Sequence, residues 1–333
     1  MKKLFTTVLS AVLCTSMIGC ASTSSASSST AASKTIKVAV IKQLDHASLD
    51  EIAKAITTEL DVIAKKNGVT IDYGEVYSGQ NDQTTLKQIS DQAIAAGVNV
   101  IIPIATTAAQ VAANSAEDSA TPVVYAAISD PEAAGLTGLK NVTGTSDALN
   151  TKQICDMMLA QKPNLKNVGL LYSKSEANSE KPIKDAKAYL DAKGIKYTEA
   201  TANTNDEVIA AATSLVASGV DAVFTPTDNV IMAAELAIAD TFADAKIPHY
   251  TGADSFVRNG AFVTCGVNYT DLGTKTADLA YQAVSEGFDN IKDYTVMDGG
   301  LITINTDTAK KLNADSSIFA KFGKIVEVTT TKE

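Results

Sequence analysis

The chain has 333 residues, of which 45% are hydrophobic, 20% charged and 5% aromatic, with no Trp. That apolar share is too high for a disordered polypeptide, and the length favours two domains. A formal net charge of −10 argues against the basic footprint of a nucleic-acid partner, and with only His46 and His249 a multi-histidine metal site is excluded.

Residues 1–19 read as a signal peptide. Lys2 and Lys3 form a positive start, and Leu4 to Ile18 is an apolar run too short to span a bilayer comfortably. The run ends at Met17-Ile18-Gly19-Cys20-Ala21, which resembles a bacterial lipobox with Met17 where Leu is commonest. In such signals a peptidase cuts before the Cys, whose thiol carries a diacylglycerol. Residues 20–35 would then be a lipidated Cys20 and a linker, since every residue from Ala21 to Ser33 is Ala, Ser or Thr. Such a tether reaches ~20 Å. The expected location is outside the cytoplasmic membrane of a bacterial cell, anchored by a lipid on Cys20. Cys155 and Cys265 remain in the body. Two cysteines are not a disulfide framework, and two partly buried thiols are the simpler expectation.

The body alternates strands and helices. Residues 36–41 read as a strand, 49–66 as a helix with apolar residues at helical spacing, and Gly68 as its stop. A strand at 69–73, a helix at 82–96 closed by Gly97, a strand at 98–104, a helix at 107–117 and a strand at 122–127 follow. After a helix at 151–161 the pattern repeats: strand 168–172, helix 181–193, strand 195–199, helix 205–218, strand 222–225, helix 229–244, strand 249–252. Three matches relate the two halves. Asn81-Asp82 pairs with Asn205-Asp206, Gly97-Val98-Asn99 with Gly219-Val220-Asp221, and the stretch from Thr121 with that from Ile247. The expectation is an α/β chain of two similar Rossmann-like lobes, each a parallel sheet flanked by helices, joined by a hinge with a ligand cleft between them. Open parallel sheets bind ligands outside the carboxyl ends of their strands, near helix N-termini.

Six segments carry a family resemblance. They are Ile104-Ala105-Thr106-Thr107-Ala108-Ala109-Gln110, Ser129-Asp130-Pro131, Val142-Thr143-Gly144-Thr145-Ser146-Asp147, Tyr172-Ser173-Lys174-Ser175-Glu176-Ala177-Asn178-Ser179, Pro226-Thr227-Asp228-Asn229 and Gly252-Ala253-Asp254. In this order they resemble ABC-transporter substrate-binding lipoproteins of the tryptophan-binding (TrpX-like) type, which have a type I periplasmic-binding-protein fold. The resemblance runs from about Ile36 to about Leu312. It implies a ligand between the lobes, an aromatic amino acid in some members. It implies an ABC permease with its ATPase as partners, a monomer, and no cofactor. It also implies crossovers near Ser146, Gly266 and Gly299, hence a first lobe of 36–146 plus 266–298 and a second of 147–265 plus 299–325.

An α-amino acid presents a carboxylate, an ammonium and a side chain. For the carboxylate, Thr106 and Thr107 sit between a strand end and a helix start, where amides and hydroxyls are free to donate. Ser175, Asn178 and Ser179 occupy the equivalent place in the second half, with Ser173 just before them. All are also candidates for capping their own helices. For the ammonium, Asp254 at a strand end is the first choice, although the family's usual acidic neighbour is here Ser255. Asp228 and Asp130 are the alternatives, each with a capping or turn role of its own. Asn81 adds a hydrogen-bonding group from a first-half loop. Leu44, His46 and Tyr77 are the candidates for the side-chain pocket.

An enzyme finds no support, because G-x-S-x-G, Walker A, G-x-G-x-x-G, H-E-x-x-H and C-x-x-C are all missing. A sensor that presents its ligand to a receptor, or a binder of a sugar or nucleoside, uses the same scaffold.

Overall fold

The computed structural model describes residues 35–331. The signal-peptide and lipid-anchor readings therefore lie outside the described residues. The first lobe runs through β1 (Thr35–Lys42), α1 (Ala47–Asn67), β2 (Thr70–Asp72), β3 (Val76–Ser78), α2 (Gln83–Ala95), β4 (Val100–Ile104), α3 (Thr106–Ala116), β5 (Val123–Tyr125) and β6 (Val142–Ser146). The chain then enters the second lobe with α4 (Thr151–Gln161), β7 (Asn167–Tyr172), α5 (Ala177–Ala192), β8 (Lys196–Thr201) and α6 (Asn205–Ala217). It continues with β9 (Ala222–Thr225), α7 (Asn229–Asp244), β10 (His249–Thr251), α8 (Asp254–Arg258) and β11 (Val263–Gly266). Next α9 (Tyr269–Glu286) packs on α1, and β12 (Thr295–Val296) pairs with β6, both in the first lobe. Finally β13 (Leu301–Asn305), α10 (Thr306–Leu312) and β14 (Ile325–Val328) belong with the second sheet.

Both sheets have the same order. The first is β2-β1-β4-β5-β6-β12, with β3 also on β1; the second is β8-β7-β9-β10-β11-β13-β14. All pairings are parallel except β13 with β11. Central strands such as β4 and β9 are buried at every position, as expected where helices cover both faces. In each sheet the connections diverge on either side of the first strand. The crevice between β1 and β4, and that between β7 and β9, are therefore where a doubly wound sheet leaves its carboxyl edge open to a ligand.

Local signals set most boundaries. Leu49, Ile52, Ala53, Ile56, Leu60 and Ile63 form the buried face of α1, and Gly68 ends it in the left-handed conformation (φ 63°). Gly97 and Gly219 stand at matching places, φ 69° and 65°. The caps sharpen the internal repeat: Asp82 caps α2 by accepting from the Thr85 amide, and Thr204 caps α6 by accepting from the Glu207 amide. The equivalent residues are thus Asp82 and Thr204, rather than Asn81-Asp82 and Asn205-Asp206. The helix expected from Lys181 begins four residues earlier, at Ala177, with Pro182 inside it. Proline usually restricts a helix to its first turn, but here the ring is buried and packing outweighs the lost backbone bond. Cys155 and Cys265 are both buried and unpaired. Burial pushes their thiols up to about 12 and about 11.

Candidate functional site

The carboxyl ends of strands from both sheets converge on one cavity of about 20 Å³. That is room for about one water in this arrangement of the lobes, well below the ~300–1,000 Å³ usual for small-molecule sites. The first lobe contributes His46, Ser48, Leu49, Ala105, Thr106, Ala127, Ser129 and Tyr269; the second contributes Asn178, Thr227, Asp228, Asn229, Met232, Ala253 and Phe256. Asp147, just beyond β6, completes the wall at the first crossover. The N-termini of α3, α5 and α7 all meet this region through Thr106, Asn178 and Asn229, so three positive dipole ends converge here. Two wall residues have backbone conformations that non-glycine residues avoid, Ala105 (φ 77°, ψ 163°) and Ala127 (φ 59°). Such strain, on the order of 1–3 kcal/mol per residue, persists only where the surroundings enforce it.

The lobes are held together across the cavity. Gln43 Nε2, just after β1, donates to Glu176 Oε1 at 2.8 Å. His46 Nε2 meets Asn229 Oδ1 at 3.0 Å, and Ser129 Oγ meets Thr227 Oγ1 at 3.0 Å. The hydroxyls of Ser48 and Ser255 touch. Gln43 also receives the Thr107 amide on Oε1 and donates to Asn81 Oδ1. Lys42 is clasped by Asp45 (2.6 Å) and Asp50, which pins the loop carrying Gln43, His46 and Ser48.

Three carboxyl groups are buried around this space. Asp228 caps α7: its Oδ1 accepts from the Ile231 amide, and its Oδ2 accepts from the Ser173 amide and the Ser179 hydroxyl. Glu176 accepts from Gln43 and from Asn229 Nδ2, the latter at 2.6 Å. Burial, reinforced by the neighbouring charge of Asp228, raises Glu176 to about 7. Asp147 accepts from Ser129 Oγ on one oxygen and Tyr269 OH on the other, and burial raises its pKa as well. No Lys or Arg lines the cavity, and among the described residues none forms an ion pair with these three acids.

Four residues proposed from sequence line the cavity: His46, Thr106, Asn178 and Asp228. Three of them keep a buried side-chain atom without any partner, namely His46 Nδ1, Thr106 Oγ1 and Asn178 Oδ1. Unpartnered buried polar atoms are costly, and these three belong to residues that share the lining of one cavity. Thr106 and Asn178 also face an adjoining groove between the lobes, where Asp130 sits with Lys181 and Lys184. The other candidates stand behind the wall or away from it. The Thr107 amide is taken by Gln43. Ser173 and Ser179 donate to Asp228, and Ser175 bonds Ser173. Asn81 accepts from Gln43, Leu44 packs against the core, and Tyr77 is 37% exposed on the β3 edge. Asp254 heads α8, outside the lining; its Oδ2 binds Arg258 Nε at 3.1 Å, while Oδ1 is buried without a partner.

Sequence reasoning did not single out Gln43, Ser129, Asp147, Glu176, Thr227 or Asn229. All but Gln43 fall inside the six resemblance segments, so the signal was present but unassigned. Phe256 and Tyr269 carried no local signal, because buried aromatics usually belong to the core.

Such a cavity, walled by the strand ends of two like lobes, defines a solute-capturing protein, and the chain belongs to the ABC transporter substrate binding protein family, whose description matches residues 37–317. Over 338 residues it is 29% identical to the tyrosine-binding protein of Clostridioides difficile (strain R20291), covering 96% of each chain. Among solved structures it is similar to an ABC domain from Streptococcus pneumonia in complex with L-Trp, at 30% identity and a TM-score of 0.79, covering 88% of this chain and 100% of that one. It is also similar to the ligand-free, open form of a substrate binding protein with adhesive properties from Clostridium difficile. That match has 28% identity and a TM-score of 0.66, covering 89% of this chain and 100% of that one.

Proposed function

We propose that the protein captures an aromatic L-α-amino acid between its lobes by hinge closure and delivers it to the permease of an ABC importer. The observation that carries this reading is the cavity in which Thr106 and Asn178, both buried, keep unpartnered oxygens beside converging helix N-termini. A ligand carboxylate suits Thr106 Oγ1 and the positive dipole end of α3. Leu49, Met232, Phe256 and the Tyr269 ring offer the apolar partners for a flat side chain. The relatives support the ligand class, since one is described with L-Trp and another as tyrosine-binding. Hinge closure is supported by the better match to the L-Trp complex than to the ligand-free, open structure, 0.79 against 0.66 at similar identity.

Thermal unfolding with the twenty amino acids, nucleosides and simple sugars tests the reading. At ligand about a hundredfold above Kd, binding adds ~2.7 kcal/mol, and Tyr, Trp or Phe is expected to raise Tm by several degrees. Thr106→Val is expected to diminish that rise while leaving the ligand-free fold intact. A rise with a sugar and none with the aromatic amino acids would replace the ligand class. The anchor on Cys20 is part of the same proposal, supported by the lysines, apolar run and cysteine in sequence. Cys20→Ala is expected to move the protein from the membrane to the soluble fraction of cells, and continued membrane retention would count against the anchor.

A further inference from the structure

The unspent hydrogen-bonding capacity of the cavity has a definite polarity. Asn229 Nδ2 donates to Glu176 Oε2 at 2.6 Å, so its Oδ1 is the atom turned to His46 Nε2 at 3.0 Å. His46 therefore carries its proton on Nε2. Burial drives its pKa down to about 4, so the ring is neutral near pH 7 and Nδ1 is a bare acceptor, buried without a partner. Asn178 Nδ2 donates to the Thr227 carbonyl at 2.7 Å, which leaves Oδ1 as a second unpartnered acceptor. Asp147 uses one lone pair of each oxygen, for Ser129 Oγ at 2.9 Å and Tyr269 OH at 3.0 Å. Each oxygen has room for another donor. Asp228 is already committed as a helix cap to three donors. No cationic side chain lines this wall. A solute carrying N–H donors and a positive charge complements these acceptors.

We propose that the cavity is a primary-ammonium site in which Asp147 supplies the counter-charge and His46 Nδ1 and Asn178 Oδ1 accept the remaining N–H groups. This rests on the reading of the cavity as an amino-acid site and names the groups that take the amino end. It assigns to Asp147 the role that strand-end position alone gives to Asp254, which instead pairs with Arg258 beyond the lining. The location has a mechanical consequence. Asp147 lies just after β6, where the chain first leaves the first lobe, and Tyr269 opens α9, where it returns. An ammonium on Asp147 therefore adds a contact at the junction of two crossovers, and solutes without one forgo it.

Calorimetric titration with L-tyrosine, L-tryptophan, tyramine (ammonium without carboxylate) and 3-(4-hydroxyphenyl)propionate (carboxylate without ammonium) tests this in wild type, Asp147→Asn and Asp254→Asn. A charge-assisted hydrogen bond contributes enough that its loss costs at least about tenfold in Kd. Wild type is expected to bind L-tyrosine or L-tryptophan at least about tenfold more tightly than the propionate. Asp147→Asn is expected to lose about tenfold or more toward both the amino acids and tyramine. Its affinity for the propionate should be unchanged, which also reports that the variant is folded. Asp254→Asn is expected to behave as wild type. An Asp147→Asn protein with the wild-type preference for amines overturns the proposal, as does a loss carried by Asp254→Asn instead. Tyramine binding that Asp147→Asn removes, in a protein indifferent to the aromatic amino acids, overturns the ligand reading and keeps the ammonium site. No heat with any of the amines overturns the site.

Discussion

His46 and Glu176 stand at the ends of a single hydrogen-bonded row that crosses the cleft through Asn229. Burial moves them in opposite senses. Glu176 rises from 4.5 to about 7, chiefly through desolvation and then through the charge of Asp228. Between those values the folded protein holds a proton that the unfolded chain has released, so this group's contribution to stability falls as pH rises through that window. His46 falls from 6.5 to about 4 through desolvation. Between those values the unfolded chain holds the extra proton, so the contribution of His46 grows as pH rises and is lost as pH falls. The two slopes oppose each other over most of the mildly acidic range. Urea denaturation at a series of pH values is expected to separate them. Wild type minus Glu176→Gln should decline from about pH 4.5 to about pH 7, and wild type minus His46→Asn should climb from about pH 4 to about pH 6.5. Variants whose profiles merely run parallel to wild type would show that neither group titrates differently on folding.

At the scale of elements, the closeness of α1 and α9 fixes the first-lobe side of the cavity. Gly273 makes that approach possible. A Cβ there would lie 2.6 Å from Ala55 Cβ and 2.7 Å from the Ile52 carbonyl oxygen, distances that real methyl groups do not reach. Gly273→Ala must push the helices apart, and overpacking of this kind costs about 1–3 kcal/mol. A lower urea midpoint is the expected result. Because α9 begins with Tyr269, which lines the cavity and holds Asp147, weaker ligand binding should accompany it. A variant as stable as wild type would show that the pair separates freely. Element boundaries also show where local reading succeeds. The glycine stops after α1, α2 and α6 were legible because a left-handed turn is a local requirement. The start of α5 was not, because whether a helix tolerates Pro182 depends on what packs around it.

At the scale of the molecule, the lobes meet through polar contacts whose individual net contributions are small, about 0.5–1.5 kcal/mol each, and through a buried apolar cluster that includes residues of both. Under the proposed hinge closure, closed and open arrangements differing by a few kcal/mol fall in the range a ligand can tip. The Ser48 and Ser255 hydroxyls give a direct probe, since they touch across the cleft from α1 and α8. Ser48→Cys combined with Ser255→Cys is expected to form a disulfide on mild oxidation, detected by mobility on a non-reducing gel. Oxidation should slow ligand entry into the empty protein and slow release from the loaded one. Cys155 and Cys265 should not interfere, being buried with thiols pushed well above their ordinary range. Failure to cross-link would mean that the lobes do not close as far as described.

The sequence by itself determined the alternation of strands and helices, its repetition in two lobes, and the strand-end stretches at which the cavity forms. Periodicity, caps and turns are short-range physics, and the strand-end rule follows from topology. The tertiary structure alone decided which polar residue at each strand end lines the cavity. Asp254 is engaged by an arginine four residues along its own helix, whereas Asp147 meets Tyr269 only after the chain has crossed between lobes and returned. The same holds for the apolar wall, where Phe256 faces the cavity and Tyr77 faces solvent. Position along the chain narrows a side chain to a neighbourhood; its orientation depends on distant partners, and those are fixed only when the whole molecule packs.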